Sequence, residues 1–181
     1  MSGAGAKRPI VSSAHLVSER SAELSEFEYG LIVASHAFNR WIVRCMAAAG
    51  LGDLGALDIL VLHSVNHRAR DKKLADICFV LNVEDSHTVA YALRKLARAG
   101  LVAARKSGKE RLYATTEDGR RACERYRRVR EDCLMAALDA FSGASSDVAS
   151  GDLNQRIGAA ADLLRAASGL YDQAARAAAS L

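Results

Sequence analysis

The sequence predicts a mainly α-helical chain with one small β-hairpin, and three observations lead there. First, apolar residues recur at spacings of three and four along most of the 181 residues, and proline occurs once, at Pro9, so long helices meet no proline break after that point. Second, between Leu74 and Thr115 two short helical patterns are joined by a tight turn and followed by a very basic stretch around Ser107-Gly108, which reads as two strands and their turn. Third, the stretch from Arg68 to Arg130 holds 17 Lys and Arg against 8 Asp and Glu, a balance of +9 in a chain of net charge +4, so the remainder stands at −5. A basic middle between acidic ends is the footprint of a face that binds a polyanion. A solvated charged surface is the plainer alternative, but the charge coincides with the two-helix pattern and so favours nucleic acid.

Residues 1–20 are small, polar and patternless and read as a flexible N-terminal arm. A long helix follows from Ala22 to Ala49, ended by Gly50. Its Leu24, Phe27, Leu31, Ala34, Phe38, Trp41, Cys45 and Ala48 alternate at three and four, and Ile32, Val33, Ile42 and Val43 widen the stripe beyond one face. Asp53 or Gly55 opens a second helix that ends near His67, and Arg68 to Lys73 is a short basic connection with room for a strand.

Leu74, Ile77, Cys78 and Leu81 share one face of the next helix. In the turn Asn82-Val83-Glu84-Asp85, Val83 is the apolar residue that can plug the angle between helices, and Asp85 or Ser86 offers an oxygen to the amides of the helix behind it. That helix, 86–99, buries Val89, Leu93 and Leu96 and stops at Gly100. The basic hairpin 103–113 carries Arg105, Lys106, Lys109 and Arg111 near its tip. Two helices, a turn and a basic hairpin make a winged helix-turn-helix arrangement.

Thr115 to Gly119 reads as a helix start, a hydroxyl cap followed by acids in the first turn. The helix runs to about Phe141, densely basic early and apolar late. A Ser/Gly-rich linker, Ser142 to Gly151, precedes a last helix from Asp152 to about Ala179. There Leu153, Ile157, Ala160, Leu164, Ala167, Tyr171, Ala174 and Ala178 form a heptad stripe. The predicted division is arm 1–20, N-terminal dimerisation helix 21–50, winged helix-turn-helix domain 51–116, and C-terminal helices of the dimerisation region 117–181. Two long striped helices are hard to bury within so small a domain, and a second copy of the chain buries them economically. A homodimer also presents two recognition helices about 34 Å apart, one turn of double-stranded DNA.

Other classes fit poorly. No apolar run approaches the roughly 18 residues of a membrane span, and no apolar stretch follows Lys7-Arg8 as in a secretory signal. Cys45, Cys78, Cys123 and Cys133 are widely spaced within helical patterns, so neither disulfides nor structural zinc is expected and a reduced cytoplasm fits best. Glycine-rich phosphate loops, HExxH and GxSxG are missing, so no enzyme and no cofactor are expected.

The order of elements resembles the MarR family of winged-helix transcription regulators. Leu74-Ala75 opens the first helix of the pair, Leu96-Ala97-Arg98-Ala99-Gly100-Leu101-Val102 closes the second, and Thr116-Glu117-Asp118-Gly119 is similar to the family's Leu-Thr-x-x-Gly element with Thr115 in the leucine place. The likeness covers about Ala22 to Ala179. It implies a homodimeric DNA-binding regulator, with a repressor the expected mode. The wing departs from the family's Asp-x-Arg: Lys109-Glu110-Arg111 stands there, so either Arg111 reaches DNA unbraced or Glu110 braces it.

Side chains near the start of the second helix face base edges in this kind of docking. Ser86, His87 and Thr88 sit there, and Tyr91 and Arg94 continue the face, with Arg suited to bidentate contact with guanine. Lys95, Arg105, Lys106, Lys109 and Arg111 are expected on phosphate or in the minor groove, giving salt-dependent affinity with little sequence information. A winged-helix module whose basic face binds an acidic protein is the alternative.

In the resembled family, small aromatic acids, metals or oxidants relieve repression, binding where the dimer helices meet the winged domain. The resemblance therefore implies three candidates here. His36, Arg40, Trp41 and Arg44, with His63, could line a site for a small aromatic acid. His63 and His67, at i and i+4, could hold a metal in a metal-responsive regulator, although no metal site is the first expectation and a core role for His63 is as natural. The four cysteines could sense oxidant.

Overall fold

The computed structural model describes residues 14–18, 20–144 and 150–181. They form two compact units, Met1–Val129 and Arg130–Leu181. Of the arm, 1–13 and residue 19 lie outside the described residues. Ala14–Leu16 makes a single 3-10 turn, held by the Ser25 hydroxyl, which donates to Leu16 O at 2.7 Å.

In the first unit, α1 spans Ala22–Ala48, capped by the Ser21 hydroxyl, which accepts from Leu24 N–H. Its C-terminal end buries Ile42, Cys45 and Met46, whereas Ile32, Val33 and Phe38 remain half exposed. Helix α2, Ala56–Asn66, is central and buries Ile59, Val61, Leu62 and Val65. Its third residue, Asp58, reaches back to accept Gly55 N–H at 2.9 Å, satisfying an amide that the helix leaves unpaired.

The basic connection contains a two-residue strand, β1 (Lys72–Lys73), followed by α3, Leu74–Leu81. Val83 packs against the core beneath the turn, as its isolated apolar character predicts. Helix α4, Ser86–Arg98, buries Val89, Ala92, Leu93 and Leu96. Strands β2 (Val102–Ser107) and β3 (Glu110–Thr115) complete an antiparallel sheet of order β1-β3-β2. Ser107 pairs with Glu110, so the turn is Gly108-Lys109, one residue later than expected. Gly108, at φ +60°, takes the backbone conformation that other residues avoid.

Helix α5, Glu117–Arg130, starts at Thr116, whose hydroxyl accepts Gly119 N–H at 3.0 Å and donates to Gly100 O at 2.6 Å. A Cβ on Gly119 would lie 2.1 Å from Leu101 O, so this glycine is required for α5 to approach the start of β2. Ala122, Cys123 and Tyr126 then close the core.

The second unit begins with a π-helical turn, Glu131–Met135, followed by α6, Ala136–Ala144. The single regular helix expected up to Phe141 is therefore interrupted. A π turn accommodates an extra residue, which rephases the apolar stretch after it. Helix α7 spans Ser150–Ala178, two residues earlier than expected, and the helical path before it runs on through Ala144. Of the predicted Ser/Gly linker, 145–149 lie outside the described residues. Along α7, Ala167 is buried while Ile157, Leu163, Leu164 and Leu170 are about half exposed. No helix among the described residues is long and apolar enough to cross a membrane.

Candidate nucleic-acid interface

Helix α4 is divided between two environments. One face supplies four core residues, so the opposite face is held outward by burial elsewhere. Asp85 caps the helix, its Oδ1 accepting His87 N–H at 2.9 Å. The Thr88 hydroxyl donates to Asp85 O at 2.7 Å. On the outward face Ser86, His87, Thr88, Tyr91 and Arg94 are all exposed. Tyr91 is 57 % exposed, and the Arg94 guanidinium carbon stands 5.9 Å from its ring centroid, within cation–π range. The five residues predicted to face base edges are thus on one surface.

Lys95 is not. Its Nζ lies 2.7 Å from Asp58 Oδ2, the same oxygen that receives Gly55 N–H. With Asp58 7 % exposed overall, the carboxylate needs a cationic partner at that depth, and Lys95 supplies it. The expected phosphate contact becomes an internal tie between α2 and α4.

The wing shows a similar division. Arg105 Nε donates to Asp71 Oδ2 at 2.6 Å, which anchors β2 to the connection before β1. Glu110 pairs with Lys73 at 2.8 Å, and neighbouring strand residues point to opposite faces, so Glu110 does not brace Arg111. Lys106 and Arg111 are cross-strand neighbours. Among the described residues no carboxylate pairs with Lys106, Lys109 or Arg111, and all three are exposed. Two like charges opposite one another repel unless an anion lies between them. Asp58 and Asp71 escape a sequence reading because each partner lies more than thirty residues away.

The predicted effector residues are not brought to one cavity. His36, Arg40 and Arg44 are exposed on α1, and Trp41 is half-buried. His63 instead packs edge-on against Tyr126, with ring centroids 4.6 Å apart. Burial depresses its pKa, so the imidazole is neutral at pH 7. It lines a cavity of about 500 Å³ between α2 and α3, together with His67 but with none of the four α1 residues. Among the described residues no group of three or more His, Cys, Asp or Glu side chains is placed to hold a metal.

The family model described as a winged helix DNA-binding domain matches residues 54–119, from the start of α2 through the first turn of α5. Over those residues the chain is similar to winged helix DNA-binding domains. Solved structures extend the likeness beyond that stretch. RV1404 from Mycobacterium tuberculosis is 17 % identical over 77 % of this chain and 95 % of its own, with a TM-score of 0.60. A mutant MarR from E. coli complexed with operator DNA is 16 % identical over 81 % of this chain and 99 % of its own, at 0.59. NadR in complex with 4-hydroxyphenylacetate is 16 % identical over 78 % and 92 %, at 0.56. These likenesses establish a MarR-type fold for the chain. No curated protein sequence matches it.

Proposed function

We propose that the winged helix domain is a sequence-specific reader of double-stranded DNA and that the chain acts as a homodimeric transcription regulator, a repressor. The observation that carries this is the outward face of α4, where Ser86, His87, Thr88, Tyr91 and Arg94 are all exposed, together with the exposed cations Lys106, Lys109 and Arg111 on the hairpin that follows. Helix α4 enters the major groove and the wing meets the backbone or the minor groove. The MarR-type structure solved with operator DNA supports this mode.

A second copy is the partner that the apolar faces call for. Ile32, Val33 and Phe38 on α1, and Leu163 and Leu170 on α7, are each at least 50 % exposed. Such surfaces are costly in water and are covered in a dimer. Release by a small organic acid belongs to the same reading, supported by NadR with 4-hydroxyphenylacetate. Selection of genomic fragments followed by an electrophoretic shift tests the proposal: one retarded species with two chains per duplex is expected. Failure to enrich any fragment, with retention of an acidic protein instead, would favour a protein-binding module.

A further inference from the structure

The cavity between α2 and α3 combines two kinds of wall. Leu60, Val80 and Leu81 are apolar, whereas Arg68, Arg70 and Lys72 bring three cations to the same space. Asp76 is the carboxylate among the lining residues, and it already accepts Lys73 N–H at 3.2 Å as an α3 cap. Lys72 is only 5 % exposed, yet its ammonium donates to a neutral acceptor, His67 O, at 2.7 Å. An ammonium hydrogen-bonded to a carbonyl and not to a carboxylate, beside two guanidiniums and with Asp76 as the acid lining the cavity, leaves the site with an excess of positive charge. The pKa of Lys72 is depressed, first by burial and then by Arg70 and Arg68, which together outweigh the opposing effect of Asp76.

Two further features mark the same place. Arg68 has φ +61°, a left-handed conformation that costs energy in a residue other than glycine. His63 Nε2 is buried without a hydrogen-bond partner among the described residues, and such atoms in a native fold call for an explanation. The volume of about 500 Å³ suits a small molecule.

We propose that this cavity binds a small organic carboxylate, its charged end on the Arg68–Arg70–Lys72 side and its apolar body against Leu60, Val80 and Leu81. The site lies within the winged domain, not where the long helices meet it, and His36, Arg40, Trp41 and Arg44 take no part. His63 Nε2 gives a polar substituent on the ligand a partner. Because α3 leads into α4 through residues 82–85, an occupant here touches the helix that positions the DNA-facing one; that consequence rests on the DNA-binding reading above.

Titration calorimetry of the full chain without DNA tests the site, using 2-naphthoate, its neutral isostere 2-naphthamide, and inorganic phosphate. Naphthoate is expected to bind, with the amide and phosphate each at least about tenfold weaker. Arg70→Gln, at an exposed position, should weaken naphthoate about tenfold. Val80→Trp, 69 % exposed in the wild type, should block the site while leaving the melting temperature unchanged. No naphthoate binding by the folded wild type, equal binding of the amide or of phosphate, or binding that Arg70→Gln leaves unmoved would each overturn the assignment. An electrophoretic shift on the same samples reads DNA binding separately. Naphthoate binding without any DNA binding would keep the site and overturn the regulatory reading.

Discussion

Lys95 and Asp58 meet at 2.7 Å across 37 residues of sequence, and this contact ties α4, the helix proposed to face DNA, to α2 behind it. Asp58 Oδ2 serves two helices at once, capping α2 through Gly55 N–H and neutralising Lys95 on α4. Removing one partner leaves the other charge partly buried and unpaired. Asp58→Asn should therefore cost about 1–3 kcal/mol, below the fully buried case because the Lys95 side chain is 31 % exposed. Lys95→Met should weaken operator binding without changing its salt slope, since no phosphate contact is lost. A slope reduced by about one would place Lys95 on the backbone after all.

Gly119→Ala makes a purely steric test of the seat of α5. The new methyl would fall 2.1 Å from Leu101 O and 2.9 Å from Thr115 Cγ2, and a backbone carbonyl cannot move aside as a side-chain tip can. A loss of about 2–3 kcal/mol in urea unfolding is expected. A neutral outcome would mean that α5 sits farther from β2 than described.

These positions show what a sequence can and cannot disclose. The limits of α4 and its buried Val89, Leu93 and Leu96 were legible because they depend on local spacing and a cap at Asp85. So was the outward face, which is what remains once the inner one is assigned. The pairing of Lys95 with Asp58 and of Arg105 with Asp71 was not, because tertiary packing brings those carboxylates close and no local pattern marks them. The wing turn slipped by one residue, since Ser107-Gly108 and Gly108-Lys109 both place glycine in the turn and the ladder register decides between them. The π turn at Glu131–Met135 has no local sequence mark that we can name. On α1 the periodicity was visible throughout, but within the chain burial is concentrated toward its C-terminal end.

His63 sets a pH dependence. In the unfolded chain a histidine takes up its proton near pH 6.5, whereas in the fold burial delays that to lower pH. Between those two values the unfolded state binds more protons, so stability falls as the solution is acidified through 6.5 and is unaffected by this group above it. Urea midpoints at pH 7.5 and 5.5 should therefore separate more for the wild type than for His63→Phe. Equal separations would show that His63 protonates freely in the fold.

The cysteines should differ in reactivity. Cys133 is exposed, whereas Cys45 and Cys123 are buried, and burial pushes the Cys123 thiol up to about 11. Since the thiolate is the reacting species, iodoacetamide at pH 8 should label Cys133 first and leave Cys45 and Cys123 unmodified in the native protein, as read by peptide mass spectrometry. Rapid labelling of Cys123 would contradict the packing of α5 on the core.

The most direct test of the proposed DNA-reading face is an anisotropy titration of a selected duplex and a scrambled one across a range of salt. Wild-type protein should prefer the selected duplex by at least about a thousandfold, with affinity falling steeply as salt rises. Arg94→Ala should reduce that preference by about 1–3 kcal/mol at particular base pairs. Lys106→Ala should preserve the preference and flatten the salt slope by about one. Equal affinity for both duplexes, or a preference that Arg94→Ala leaves intact, would contradict the assignment of α4 as the element that reads sequence.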